Sequence, residues 1–107
     1  MASTTDTALI VNIRKADLQW LTYAVRNVQT RNSEEHALQH ALFFVLDAVL
    51  EKNPEMPSFT LTFAPDQAVF LLAATREGRC RTEDEQLTQR RLQTLFMANE
   101  WIGRKWK

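Results

Sequence analysis

The sequence predicts an α+β domain, mostly helical, built as two strand-helix-helix units packed around a helix at 34–52. Three observations predict it. Residues 33–53 form the longest and most apolar helical run, two short stretches alternate apolar with polar side chains, and the two halves carry these elements in the same order. The first eight residues, MASTTDTA, read as a flexible N-terminus. Residues 9–107 read as a single domain with a possible internal repeat of 9–53 and 58–99, followed by a basic and aromatic tail.

Taken in order, LIVNIR at 9–14 places Leu9, Val11 and Ile13 on one face and Ile10, Asn12 and Arg14 on the other, as in a half-buried strand. Residues 16–29 then bring Leu18, Leu21, Ala24, Val25 and Val28 onto one helical stripe, with Trp20 and Tyr23 towards its edges. Ser33 is suited to cap the next helix, and Glu34 and Glu35 sit where the helix dipole favours negative charge. Leu38, Ala41, Leu42, Val45, Leu46 and Val49 form its wide stripe, and Asn53 with Pro54 ends it. Phe43 and Phe44 flank the polar strip opposite. A single partner layer does not cover both, so this helix is expected to be central or to meet a second subunit.

Phe59, Leu61 and Phe63 alternate with Thr60 and Thr62, the clearest strand signal in the chain. Residues 65–77 read as helix or as a second hairpin strand. Pro65 at a first helical position, the Ala, Leu and Gln content and the absence of a tight hairpin dipeptide favour helix. Thr82 and Glu85 match a capping box for a helix running to about residue 99. Laid over each other, the halves align Ile13 with Phe63, Asp17 with Gln67, Trp20 with Phe70, Leu21 with Leu71, Ala24 with Ala74 and Arg26 with Arg76. Such an alignment fits a structural repeat, and equally two amphipathic units that share a pattern.

Thirteen basic residues balance thirteen acidic ones, which weighs against a nucleic-acid partner. The one cysteine, Cys80, forms no intrachain disulfide, and no uncharged run approaches the roughly 20 residues of a membrane span. A soluble cytoplasmic protein with no membrane partner is expected. No phosphate loop, dinucleotide fingerprint or nucleophile elbow occurs, so neither enzymatic activity nor a cofactor is expected. His36 and His40 share the four-residue spacing of metal ligands but lack further donors, and no metal site is expected. Arg79 and Arg81 flank Cys80 and would lower its pKa, yet nothing nearby completes a thiol mechanism. Glu83, Asp84 and Glu85 are explained by their place in a first helical turn.

The alternating strand at 58–63, Pro65, the turn at Gly78 and the capped helix from Thr82 resemble the ribbon-helix-helix family of DNA-binding proteins, and the first half resembles it as well. Members pair two strands into a ribbon that enters the major groove, so tandem copies imply a pseudo-dimer within one chain. The resemblance implies base reading by the outward residues Asn12, Arg14, Thr60 and Thr62. It implies phosphate contact at the second-helix starts, Ser33 and Thr82. These residue types suit the task, since Arg pairs guanine, Asn pairs adenine and helix-start amides bind anions. The acidic helix starts and the apolar Ile10 depart from that pattern.

Two functions follow as expectations. The first is a small non-enzymatic regulator that binds double-stranded DNA through a two-stranded ribbon. The alternative is an inhibitor or adaptor that binds a protein partner, or a homodimer, through Trp20, Phe43, Phe44, Trp101 and Trp106, without DNA binding. In the tail, Trp101, Ile102 and Trp106 stand beside Arg104, Lys105 and Lys107, a mixture suited to stacking on bases, to an anionic surface or to an acidic partner. Trp101 and Ile102 would serve equally to complete the core.

Overall fold

A computed structural model of the chain describes residues 9–97. In order the elements are strand β1 (Leu9–Arg14), helices α1 (Lys15–Asn27) and α2 (Ser33–Lys52), strand β2 (Ser58–Phe63), and helices α3 (Pro65–Glu77) and α4 (Glu83–Met97). The protein is therefore α+β and mostly helical, with a two-stranded antiparallel sheet. Residues 65–77 are helix. Ala68, Leu71, Leu72, Ala74 and Thr75 bury one helical face, and β2 finds its partner in β1 rather than in a following strand.

The strands pair with Leu9 opposite Phe63, Val11 opposite Leu61 and Ile13 opposite Phe59. Alternation sends these side chains inward onto the helices, where Leu9, Val11, Ile13, Phe59 and Phe63 are buried. The opposite face stays in solvent. Each strand runs almost directly into a helix. The Lys15 N–H donates to the Pro57 carbonyl at 2.9 Å, while Pro65 opens α3 and the Ala64 N–H donates to Gln67 Oε1 at 2.8 Å.

The centre of the core falls on α1, not on 34–52. Helix α1 buries Asp17, Leu18, Trp20, Leu21, Thr22, Ala24 and Val25 and touches β1 and all three other helices. Helix α2 fully buries only Leu42 and Leu46, and leaves Phe44 and Val45 exposed. The reason is geometric. Helix α1 packs against α3 as well as α2, and the small side chains of Ala24 and Ala74, both buried, permit a close crossing. Among the described residues no second layer covers the far side of α2.

Structure recurs at an offset of fifty residues, 15 to 65 and 33 to 83 for the helix starts. Fully or almost fully buried positions repeat as Leu21 and Leu71, Ala24 and Ala74, Leu42 and Leu92, and Leu46 and Phe96. The helix corners repeat too. Gln39 Nε2 donates to the Val25 and Val28 carbonyls, and Gln89 Nε2 donates to those of Thr75 and Gly78. The Arg31 and Arg81 N–H groups donate to Glu35 and Glu85 respectively, at 2.9 and 2.7 Å. At Trp20 the halves differ sharply. Its indole lies over Gly78, where an added Cβ would come within 2.7 Å of the ring, and its Nε1–H donates to the Arg79 carbonyl at 3.1 Å. Among the described residues no helix is long and apolar enough to cross a membrane.

Candidate nucleic-acid interface

The outward face of the ribbon carries Ile10, Asn12 and Arg14 from β1 and Thr60 and Thr62 from β2, all exposed. Register sets Asn12 opposite Thr60 and Ile10 opposite Thr62. Asn12 Nδ2 donates to Thr60 Oγ1 at 3.1 Å, which fixes the carboxamide and leaves its oxygen open to solvent. The four proposed base readers thus stand together on one short ribbon. Ile10, exposed at 66%, adds a methyl-bearing apolar side chain at one end of it.

At the other end Arg14 meets the middle of α4. A groove of about 560 Å³ runs there, bordered by Asn12 and Arg14 on the ribbon and by Arg90 and Arg91 on α4, with Leu87, Leu92 and Leu95 along it. Asp17 lies in its wall with a nearly buried carboxylate. Arg91 grips that carboxylate with two bonds, Nη2 to Oδ1 at 2.9 Å and Nε to Oδ2 at 3.1 Å, and the Thr88 hydroxyl donates to Oδ1 at 2.9 Å. Burial works against the charged form, but the bonds from Arg91 and Thr88 and the charges of Arg91 and Arg14 outweigh it, so the Asp17 pKa lies below its ordinary 3.8. Arg14 Nε stands 3.6 Å from the same carboxylate, while Arg90 is exposed and forms no ion pair among the described residues. Arg14, Arg90 and Arg91 thus border this groove, with Asp17 the one acidic side chain in its lining. The pair Arg90 and Arg91 was missed in the sequence because the aligned positions, His40 and Ala41, carry no such charge, and only the fold sets α4 beside the ribbon.

The helix starts are arranged differently from expectation. Ser33 does not cap α2. Asn32 does, its side chain accepting the Glu35 N–H at 2.9 Å. An extended Asn32 offers a carboxamide oxygen at the distance that Ser33, already helical, no longer can. Thr82 caps α4 as expected, accepting the Glu85 N–H at 3.1 Å, but Glu85 reaches back to the Arg81 N–H, one residue beyond the expected box. Backbone bonds from Arg31 and Arg81 are the main cause that lowers the pKa of Glu35 and Glu85. The donors that would meet a phosphate at Ser33 and Thr82 are therefore partly occupied by side chains of the same corner.

Several other candidates are also located. Trp20 is buried, with its indole N–H satisfied, so it does not belong to a surface; burial against Gly78 is the physical reason. Phe43 is half-buried with the Arg26 guanidinium 5.9 Å from its ring centre, and Phe44 is 76% exposed. Trp101 and Trp106 lie outside the described residues, as do the first eight residues and the tail. Cys80 reverses its expectation: burial first, then the Glu85 charge, raises its pKa, and its thiol lies 3.3 Å from Gln89 Oε1. Arg81 turns instead to Glu85 and lies over Tyr23. The His36 and His40 Nε2 atoms are 3.1 Å apart, and no group of three or more metal-ligating side chains occurs among the described residues.

Comparison with protein families, with curated proteins and with solved structures finds no match to this chain.

Proposed function

We propose that this protein is a non-enzymatic regulator that binds double-stranded DNA, folded as two ribbon-helix-helix-like units in one chain. The symmetry of the register supports the fold reading. Val11 faces Leu61, the residue fifty positions on, so the same offset carries the pair Leu9 and Phe63 onto the pair Phe59 and Ile13. A chain that supplies both halves of such a ribbon needs no partner to build it.

The observation that carries the function is the outer ribbon face, with hydrogen-bonding side chains flanked by the arginine groove. A two-stranded ribbon fits a major groove about 12 Å wide, where Arg14 suits the two acceptors of guanine and Asn12 the edge of adenine. Thr60 and Thr62 offer hydroxyl and methyl contacts, and Ile10 suits a thymine methyl. Arg90 and Arg91 supply the phosphate contacts that the acidic helix starts disfavour. Zero net charge keeps the nonspecific component small.

Fluorescence anisotropy against labelled duplex DNA, at about 50 mM and then about 200 mM salt, tests this reading. Binding is expected to weaken steeply between the two. Arg14→Ala should relax preference at one base pair by about 1–3 kcal/mol, while Arg90→Ala should weaken all duplexes alike. Absence of binding at the lower salt, or unchanged sequence preference in Arg14→Ala, would overturn the ribbon as the reading surface.

A second reading rests on Phe44 and Val45, exposed at 76% and 50% on the outer side of α2. Two large apolar side chains one apart on an otherwise amphipathic helix suit a protein partner or a second copy of this chain.

A further inference from the structure

We infer that the groove between α3 and the corner joining α1 to α2 is a seat for an aromatic side chain, and that the basic segment 101–107 of this chain fills it with one of its tryptophans. The groove measures about 600 Å³. Val28, Leu38, Val69, Phe70 and Ala73 form its apolar walls, and Arg31, Glu35, Asp66 and Glu77 stand at its rim.

The protein carries a second, narrower copy of this groove, about 390 Å³. Fifty residues away in each chain segment, the corner of α3 and α4 faces α1, and there the positions of Phe70 and Ala73 are held by Trp20 and Tyr23. Trp20 packs down over Gly78, Tyr23 covers the outer part, and the Arg81 guanidinium lies 4.9 Å from the Tyr23 ring centre. On the open side Phe70 is smaller than Trp20, and Ala73 leaves a space the size of a phenol ring. Leu38 and Val69 replace Thr88 and Gln19, so this copy is the more apolar of the two. Arg31, the counterpart of Arg81, is 87% exposed and has no ring beneath it among the described residues.

Charge selects the occupant. Arg31 pairs with Glu35 at 3.2 Å, and Asp66 and Glu77 form no ion pair among the described residues, so the rim carries an acidic excess. Segment 101–107 offers Trp101 and Trp106 together with Arg104, Lys105 and Lys107. It also starts close by. Met97 Sδ lies 3.9 Å from Arg76 Nη2, and Arg76 is the neighbour of Glu77 on the rim. Ten residues beyond Met97 reach up to about 33 Å when extended, longer than the shorter dimensions of the molecule, 29 and 25 Å. Opposite charge, an aromatic anchor and sufficient reach therefore coincide in one segment.

The test is 19F NMR of the full chain labelled with 5-fluorotryptophan, with resonances assigned through Trp101→Phe and Trp106→Phe. Ala73→Tyr places in the open groove the ring that Tyr23 supplies in the other, and should displace the seated indole. One tail resonance is expected to move to a solvent-exposed position while the Trp20 resonance stays where it is. If both tail resonances stay unchanged in a folded Ala73→Tyr protein, the proposal fails. Should Ala73→Tyr lose its Trp20 signal through misfolding, the exposed double variant Asp66→Lys and Glu77→Lys supplies the same comparison, with the same two outcomes. A tail resonance of the wild-type chain that moves on dilution would mean that the segment comes from a second copy, and would overturn seating within one chain.

Discussion

At Asp17 the ribbon, α1 and α4 are tied together by one carboxylate. Its side chain is 6% exposed, and the Arg91 and Thr88 donors come from more than seventy residues away in the chain. Because the folded pKa lies below the unfolded value of about 3.9, the contribution of this acid is complete above that pH and is lost as pH falls through the folded value. Wild-type stability should therefore decline on acidification below about pH 4, and Asp17→Asn should show a smaller decline from a starting point about 1–3 kcal/mol lower. Urea unfolding at neutral and acid pH checks both. Nothing local in the sequence distinguishes Asp17 from the exposed acid Asp66, one position away in the aligned half. Similarly, Cys80 has arginines beside it in sequence, but it faces Gln89 and Glu85 in space. Side-chain direction, not adjacency, decides such pKa values.

Between elements, the crossing of α1 over the end of α3 depends on the absence of a side chain at Gly78. Its backbone angles are ordinary for any residue, so the requirement is space alone. Gly78→Ala would set a methyl group 2.7 Å from the Trp20 indole and should lower stability by about 1–3 kcal/mol, with a red shift of Trp20 emission. Thermal unfolding and fluorescence of a Trp101→Phe, Trp106→Phe background would measure this. The elements themselves were largely legible. Both strands, the breaks at Pro54 and Gly78, and the cap at Thr82 follow from local rules of alternation, proline chemistry and helix starts. The cap of α2 was displaced by one residue, since Asn32 and Ser33 are both good caps and only the extended backbone at Asn32 separates them. The importance of α2 was overestimated for a different reason. Hydrophobic content measures what a helix could bury, whereas burial depends on how many layers surround it.

On the scale of the whole molecule, each strand has the other as its only partner among the described residues, and the Asn12 to Thr60 bond spans 48 residues of sequence. Neither half can complete a sheet alone, so unfolding should be a single cooperative transition seen alike by far-UV and near-UV circular dichroism. Its midpoint should also be independent of protein concentration over a hundredfold range, because the ribbon closes within one chain. A midpoint that rises with concentration would instead point to pairing through Phe44 and Val45 on α2. The amino-acid sequence by itself determined the element types, the inward face of each strand and the set of outward ribbon residues, because alternation, helical periodicity and capping act over a few neighbouring residues. Tertiary structure alone decided that α1 is central, that Trp20 is sealed against Gly78, that Arg90 and Arg91 border the ribbon, and that one of two corresponding grooves is the wider. Those outcomes depend on which surfaces meet across about fifty or more residues of chain, and close packing between distant segments leaves no periodic trace in either of them.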